Sequence, residues 1–410
     1  MNRRDFVAVG LTGALGAAAL PKGLPQATGA QDEEIRDAFP RMKEETYLNA
    51  AGMMPLGTFS LEGLHHYLAF QQLGPADGRL AYVRDMQTQI RSLFAMMIGA
   101  EASEIGLVQC TKAGEQIVLD ALDELRQGKN IVTNDLHFTG SLHNLIGLQK
   151  AGLDVRIVRA RDWTVPFEAM EAAIDDRTAL VSVSLVSNIN GHIEDIEALS
   201  RLAHAHGALV YADIIQAAGI VPLDVKQMGI DVAACSCYKW LYGVHGTAFL
   251  YVRQDLQGTR LPDHLFPGHA RHNYAPWVDR ADAAHGDFIY QARDDATRYQ
   301  PGHISYLGYC AAYEGLKFLQ EVGVENALAH SIRLNHRLKA RLDPDRYHCI
   351  TPDVDRSPII TFIVNDSEAV RQRLMEAKVA VSFGGNRMRI SPALYNNEAD
   401  IDLLTEVLNR

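Results

Sequence analysis

Positive charge is in short supply in this chain. Its 39 Lys and Arg residues are outnumbered by 50 Asp and Glu, for a formal net charge of −11 over 410 residues. A chain of that sign is not expected to bind nucleic acid or an anionic membrane surface. Long apolar runs are missing after about residue 35, so no part of the mature chain is expected to span a bilayer. Internal repeats and low-complexity tracts are absent too, which excludes solenoid and fibrous architectures. Cysteine is sparse: Cys110, Cys235, Cys237, Cys310 and Cys349 are an odd number without metal-site spacing. Cys235 and Cys237 form C-x-C within an apolar run and read as small buried residues. What is present is a chain 47% hydrophobic and 22% charged, ample for one large and one smaller domain.

The first thirty residues stand apart. "NRRDFVAVGLTGALGAAAL" places Arg3 and Arg4 before a short apolar stretch rich in Gly and Ala, and "ATGA" offers small residues for cleavage after Ala30. This resembles a twin-arginine export signal, which implies a periplasmic or secreted product. Proteins exported this way are already folded, often around a cofactor.

The middle of the chain alternates between two periods. "NIVTND" (130–135), "ALVSVSLVS" (179–187), "ALVYAD" (208–213), "DVAACS" (231–236) and "GTAFLYV" (246–252) read as strands. "QIVLDALDELRQG" (116–128) and "IEDIEALSRLAHAHG" (193–207) between them read as amphipathic helices, the second ending in Gly207. Strands alternating with helices predict an α/β fold with a mostly parallel sheet covered on both faces. Residues 307–323 and 326–342 read as long helices. They lead to a C-terminal α+β domain containing "PIITFIV", "VAVSF" and "RMRISP". The expected division is a signal at 1–30, an N-terminal arm at 31–60, a large domain at 61–310 and a small domain at 311–410. Ligands of such folds sit at the carboxyl ends of the strands.

Chemistry gathers there. Asp213 ends the strand "ALVYAD", Gln216 follows in "DIIQAAG", and Lys239 lies 26 residues beyond Asp213 in "CSCYKWLYGVHGTAFLYV". A buried carboxylate at a strand end needs a cationic or donor partner, which a protonated pyridine nitrogen supplies. A lysine of depressed pKa forms a Schiff base with an aldehyde. Together they meet the two requirements of a pyridoxal 5′-phosphate (PLP) site. Phosphate needs backbone N–H groups at a helix start, and "CTKAGEQIVLDAL" offers a loop of small residues opening a helix.

"YADIIQAAG" followed by "SCYKWLYGVHGTAFLYV" resembles the class V aminotransferases of PLP fold type I, and the likeness runs from about residue 45 to the C-terminus. It implies a seven-stranded, mostly parallel sheet domain, a smaller α+β domain and a homodimer with its sites at the subunit interface. By position it makes Lys239 the Schiff-base lysine and proton shuttle, and Asp213 the partner of the ring nitrogen. Gln216 and Asn188, the latter in "VSNINGH", fall beside the ring hydroxyl. Ser236 and Tyr238 fall at the phosphate, though histidine is common where Tyr238 stands. The amides of Ala113 and Gly114 are expected to bind phosphate, with Lys112 beside them. Either His137 or Phe138 stacks on the ring, depending on which branch of the family is followed. "RMRISPALYN" supplies the arginine for a substrate α-carboxylate, Arg389 first and Arg387 second. "RYQPGHISYLG" has His303 where a threonine reaches the partner's phosphate, so that contact is in doubt.

The family shares its cofactor motifs across transamination, epimerisation and elimination. Desulfurases of the family use a mobile cysteine ahead of the substrate arginine, and residues 365–392 have none. The export signal also weighs against a kynureninase. The expectation is therefore an exported class V aminotransferase acting at the α-carbon of an amino acid or peptide amino group. Export and fold together resemble the periplasmic enzymes of pyoverdine maturation, so siderophore maturation is one expected setting. An isopenicillin-N-epimerase-like epimerase or a PLP-dependent lyase is the alternative, and a non-catalytic binding protein of this fold is a further one.

Overall fold

The computed structural model describes residues 29–262, 271–272, 290–291 and 293–410. The Arg3–Arg4 segment and much of the 259–297 stretch lie outside the described residues. The chain opens with α1 (Gly29–Asp37) and a short strand β1 (Thr46–Tyr47), then helices α2 (Thr58–Leu73) and α3 (Arg79–Met97). Strands and helices then alternate: β2 (Ile105–Val108), α4 (Thr111–Ala121), α5 (Asp123–Arg126), β3 (Asn130–Asn134), α6 (Thr139–Lys150) and β4 (Val155–Val158). They continue as α7 (Phe167–Ala173), β5 (Thr178–Ser184), α8 (Ile196–Ala205), β6 (Leu209–Asp213), β7 (Val232–Ser236) and β8 (Ala248–Val252). Strands β2 to β8 form one seven-stranded sheet in the order β2-β8-β7-β6-β5-β3-β4. Only β8 runs against its neighbours, so the sheet is mostly parallel, as the alternating pattern predicts.

The local reasons are visible in the side chains. Every residue of β5, β6, β7 and β8 is buried, which is why these strands read as continuous apolar runs. Helix α8 starts where the Asp195 carboxylate accepts the Ala198 amide at 3.1 Å, and Gly207 just beyond it takes a left-handed φ of +72°. The helix expected at 116–128 begins earlier, at Thr111, and breaks at Leu122, whose extended backbone turns a fully buried side chain into the core.

A short strand pair, β9 (Arg271–His272) with β10 (Tyr290–Gln291), precedes the long helices α9 (Tyr306–Val322) and α10 (Val324–Arg341). Next come β11 (Tyr347–Cys349), β12 (Ile360–Val364), α11 (Ser367–Glu376), β13 (Val379–Ala380), β14 (Ser382–Gly384), β15 (Arg387–Ile390) and α12 (Glu398–Asn409). Four of these strands make an antiparallel sheet, β11-β12-β15-β14, over a core that includes Leu334, Phe362, Met388 and Leu404. The division expected at residue 310 falls inside α9. That helix packs on α2 and α3, so the chain passes to the small domain at Gly323, whose φ of +86° lets α10 start in a new direction. The N-terminal arm crosses between the domains: β1 pairs in parallel with β13, and Asn49 bridges Ser391.

Candidate active site

The loop after β7 seats Lys239. The Cys237 amide donates to the Thr247 carbonyl (2.9 Å), and the Gly243 amide returns to the Cys237 carbonyl (2.9 Å). These bonds close a tight excursion between antiparallel β7 and β8. Trp240 anchors it from within, fully buried and donating its indole N–H to Gln216 Oε1 at 2.9 Å. Lys239 is thereby held almost entirely out of water, at 6% exposure. Its Nζ makes no hydrogen bond or ion pair among the described residues, and it lies 5.6 Å from the centre of the Tyr238 ring. Burial brings the amine down to about 8; nearby Asp213 resists this and Arg389 adds to it. A buried amine in that range is a nucleophile near neutral pH.

Asp213 closes β6, one strand over. Burial is the largest influence on its carboxyl and pushes it up, while His137, the Ile215 amide at 2.9 Å and Lys239 pull the other way. Gln216 donates to the Ala51 carbonyl at 2.9 Å while accepting from Trp240, which leaves one amide hydrogen uncommitted. His137, just past β3, is fully buried, with Nδ1 2.8 Å from Ser184 Oγ and Nε2 3.3 Å from Ser182 Oγ. Ser184 is the cross-strand partner of Asp213, so His137 and Asp213 share one end of the sheet. Phe138 instead points outward at the start of α6, 38% exposed. The geometry thus brings His137, and not Phe138, to Asp213.

Sequence reading passed over Glu115. It sits in the first turns of α4, 1% exposed, with Oε1 3.6 Å from His137 Nε2 and 3.3 Å from Ser182 Oγ, while Oε2 has no partner. The signal available was an acidic residue on the face of that helix that must turn inward.

The start of α4 corrects one expectation. The Gly114 amide already donates to the Cys110 carbonyl at 3.2 Å, the first bond of the helix, so it is not free for a phosphate. What Gly114 provides is proximity: a Cβ there would lie 2.8 Å from Ala234 Cβ on β7. The Thr111 amide is taken by Ser236 Oγ at 2.8 Å, and the Thr111 hydroxyl accepts the Ser236 amide at 2.9 Å, locking α4 to the end of β7. The open N–H groups are those of Lys112, which has no partner among the described residues, and Ala113, held only by the Cys110 thiol at 3.4 Å. Tyr238 lies nearby, half-buried against His245 with ring centroids 4.0 Å apart. His303 is exposed.

Arg389 reaches the site from β15. Nη1 donates to the Asn188 carbonyl (2.7 Å) and Nη2 to Asn49 Oδ1 (3.2 Å); Nε is buried without a partner. Burial lowers its guanidinium to about 10, and no carboxylate among the described residues lies within ion-pair range. Arg387, two residues away, turns back to the Gly384 carbonyl at 3.3 Å and is not part of the site. Asn188 Oδ1 is likewise buried and unpartnered. An unpaired amine, a buried carboxylate, two open helix-start amides and an orphaned amide oxygen fit a phosphorylated pyridine aldehyde. The guanidinium is left over for a second anion.

Comparison with known proteins agrees with that fit. The model of the family "Aminotransferase class-V" matches residues 79–404. The chain is 26% identical over 403 residues to "Probable cysteine desulfurase" of Methanothermobacter thermautotrophicus, covering 92% of this chain and 97% of that one. It is 27% identical over 298 residues to "Uncharacterized aminotransferase YcbU" of Bacillus subtilis, covering 73% and 75%. Among solved structures, the cysteine desulfurase CsdA of Escherichia coli superposes with a TM-score of 0.81 at 19% identity, over 92% of this chain and 98% of that one. The fold is that of PLP fold type I and the cofactor is pyridoxal 5′-phosphate. The chain belongs to the class V aminotransferase family.

Proposed function

We propose that this protein is an exported, homodimeric PLP enzyme that breaks the Cα–H bond of an amino acid or peptide amino group, with transamination as its reaction. The observation that carries the reading is the buried Lys239 amine, without a hydrogen-bond or ion-pair partner among the described residues, near both the Asp213 carboxylate and an Arg389 guanidinium that has no carboxylate partner there. When bound, the cofactor supplies the sink for the electron pair left at Cα. Asp213 would hold its ring nitrogen, Asn188 and the free hydrogen of Gln216 its hydroxyl, and the amides of Lys112 and Ala113 its phosphate. Ser236 and Tyr238 would flank that phosphate, and His137 would cover the ring face. Lys239 Nζ, low enough in pKa to be neutral in part of the population near pH 8, takes the proton from Cα and returns it. Arg389 binds the substrate carboxylate. In a peptide whose α-carboxyl is tied up in an amide, that group would be a side-chain carboxylate.

The likeness to cysteine desulfurases favours one second reading, a C–S lyase. Against a sulfur-accepting version stands the lack of any cysteine in residues 365–392. The deciding experiment is the visible spectrum of the holoenzyme with a panel of amino donors. Bleaching with formation of a keto acid supports transamination. Sulfide release from cysteine supports the lyase, and deuterium entering Cα with the band restored supports an epimerase. A protein with no visible band after PLP is supplied would end the whole reading.

Export rests on the Arg3–Arg4 segment and on nothing else, and replacing both with lysine should leave the protein in the cytoplasm. A secreted substrate such as a peptidic siderophore precursor follows from that location, and a deletion strain with an unchanged set of secreted metabolites would refute it. The homodimer is supported by large apolar side chains exposed on α2 and α3, among them Leu68, Leu73 and Met96. Light scattering should give twice the chain mass.

A further inference from the structure

Arg389 is held on two sides by neutral oxygens. Of its five N–H groups, one goes to the Asn188 carbonyl and one to the Asn49 side-chain oxygen. Three remain for an incoming anion. Asn49 belongs to the N-terminal arm, far from Arg389 in sequence, and several features serve to put it there. Ser391, two residues after Arg389, donates its amide to the Leu48 carbonyl (2.9 Å) and accepts the Ala50 amide on its own carbonyl (3.1 Å). Its hydroxyl also accepts the Ala51 amide at 2.9 Å. The amides of Gly52 and Met53 then turn back onto the Asn49 carbonyl at 2.9 and 3.2 Å.

Gly52 supplies an independent observation. A Cβ on Gly52 would fall 2.6 Å from Asn49 Nδ2, 2.7 Å from Oδ1 and 2.8 Å from Cγ. The Asn49 amide therefore lies folded over the bare Cα of Gly52. Gly52 is not among the glycines with left-handed φ, so its backbone does not require glycine. The space taken by the Asn49 side chain does.

We propose that Asn49 is a positioning residue that presents Arg389 to the substrate carboxylate, and that Gly52 keeps it in place. The inference rests on the reading of Arg389 as the carboxylate site. The residue type follows from the chemistry. A neutral amide oxygen orients the guanidinium without neutralising it. An aspartate of the same shape would be a permanent carboxylate partner and would compete with the substrate.

The test uses the PLP-loaded enzyme and two probes that capture the cofactor's aldehyde carbon and discolour it. Aminooxyacetate carries a carboxylate; O-methylhydroxylamine does not. The ratio of their second-order rates of bleaching reads carboxylate docking without turnover. Asn49→Ala and Gly52→Ala should each lower the ratio about tenfold, the scale of one hydrogen bond to a charged group, by slowing aminooxyacetate alone. Asn49→Asp should lower it at least as far, although it restores an acceptor. Thermal melts and the unchanged O-methylhydroxylamine rate show that the variants are folded, and Gly52→Ala keeps Asn49 itself present. A wild-type ratio in Asn49→Asp, or equal slowing of both probes in Asn49→Ala and Gly52→Ala, would reduce Asn49 to a structural role and overturn the proposal. In both cases the ratio would still collapse in Arg389→Gln. If Arg389→Gln leaves the ratio unchanged, the carboxylate reading of Arg389 fails and the proposal falls with it.

Discussion

Replacing Lys239 with methionine should make the cofactor-free protein more stable at neutral pH. The amine is buried, forms no hydrogen bond or ion pair among the described residues, and titrates near 8 instead of the ordinary lysine value of 10.5. A gap of that size corresponds to roughly 3 kcal/mol, at about 1.4 kcal/mol per pKa unit. Because the folded pKa lies below the unfolded one, the unfolded chain binds more protons between pH 8 and 10.5. The penalty is therefore fully present below pH 8 and disappears as pH rises to 10.5. Methionine has a similar length, so the cavity term is small. Asp213 loses a nearby cation, which returns part of the gain, but it retains His137 and the Ile215 amide. We expect Lys239→Met to gain about 2–3 kcal/mol at pH 7 and close to nothing at pH 10.5. The assay is urea unfolding of the two apoproteins at both pH values. Taking the difference between proteins removes the titration of every other group. A destabilised variant at pH 7, or a gain that grows toward pH 10.5, would refute the burial argument.

Three further outcomes follow from the site. Gly114→Ala should destabilise the protein by about 1–3 kcal/mol in the same urea assay, since the new Cβ meets Ala234 on the sheet beneath. Phe138→Ala should leave the visible circular dichroism of bound cofactor unchanged and activity within about twofold, whereas His137→Ala should alter both, because only His137 is buried beside Asp213. Asp213→Asn should lower kcat by about a hundredfold or more while the protein still folds, since a neutral amide cannot hold a proton on the ring nitrogen; the readouts are steady-state kinetics and far-UV circular dichroism.

Lys239, Asp213 and Gln216 were legible because their arrangement is close in sequence: Asp213 ends β6, Gln216 follows it, and Lys239 lies just past the neighbouring parallel strand β7. Any sequence that forms those two strands brings them together. Arg387 and Arg389 share a face of β15, so strand alternation could not separate them; the resemblance put Arg389 first, and the contacts to Asn188 and Asn49 that set it apart come from distant parts of the chain. Gly114 was misread because its role depends on where α4 starts. A thiol cap at Cys110 moved that start five residues ahead of the apolar pattern and committed the Gly114 amide to the helix. Asn49 and Glu115 were harder to read, Glu115 being marked only by its place on the inward face of α4. Each acquires its partner only when distant elements pack. The division expected at residue 310 cuts α9, whose packing on α2 and α3 is not revealed by composition near that residue.

The arm that crosses between the domains also sets a timetable for each new molecule. Asn49 and Arg389 are separated by 340 positions, as are Ala51 and Ser391, whereas Asp213 and Lys239 are only 26 apart. Loop closure over so great a separation is slow, and it cannot begin until β15 has been synthesised. A growing chain therefore completes the sheet that seats Lys239 before it can assemble the carboxylate clamp. On the proposed roles, the lysine that would carry the cofactor is seated before the arginine that would hold the substrate, so an incomplete chain would lack its hold on the amino acids around it.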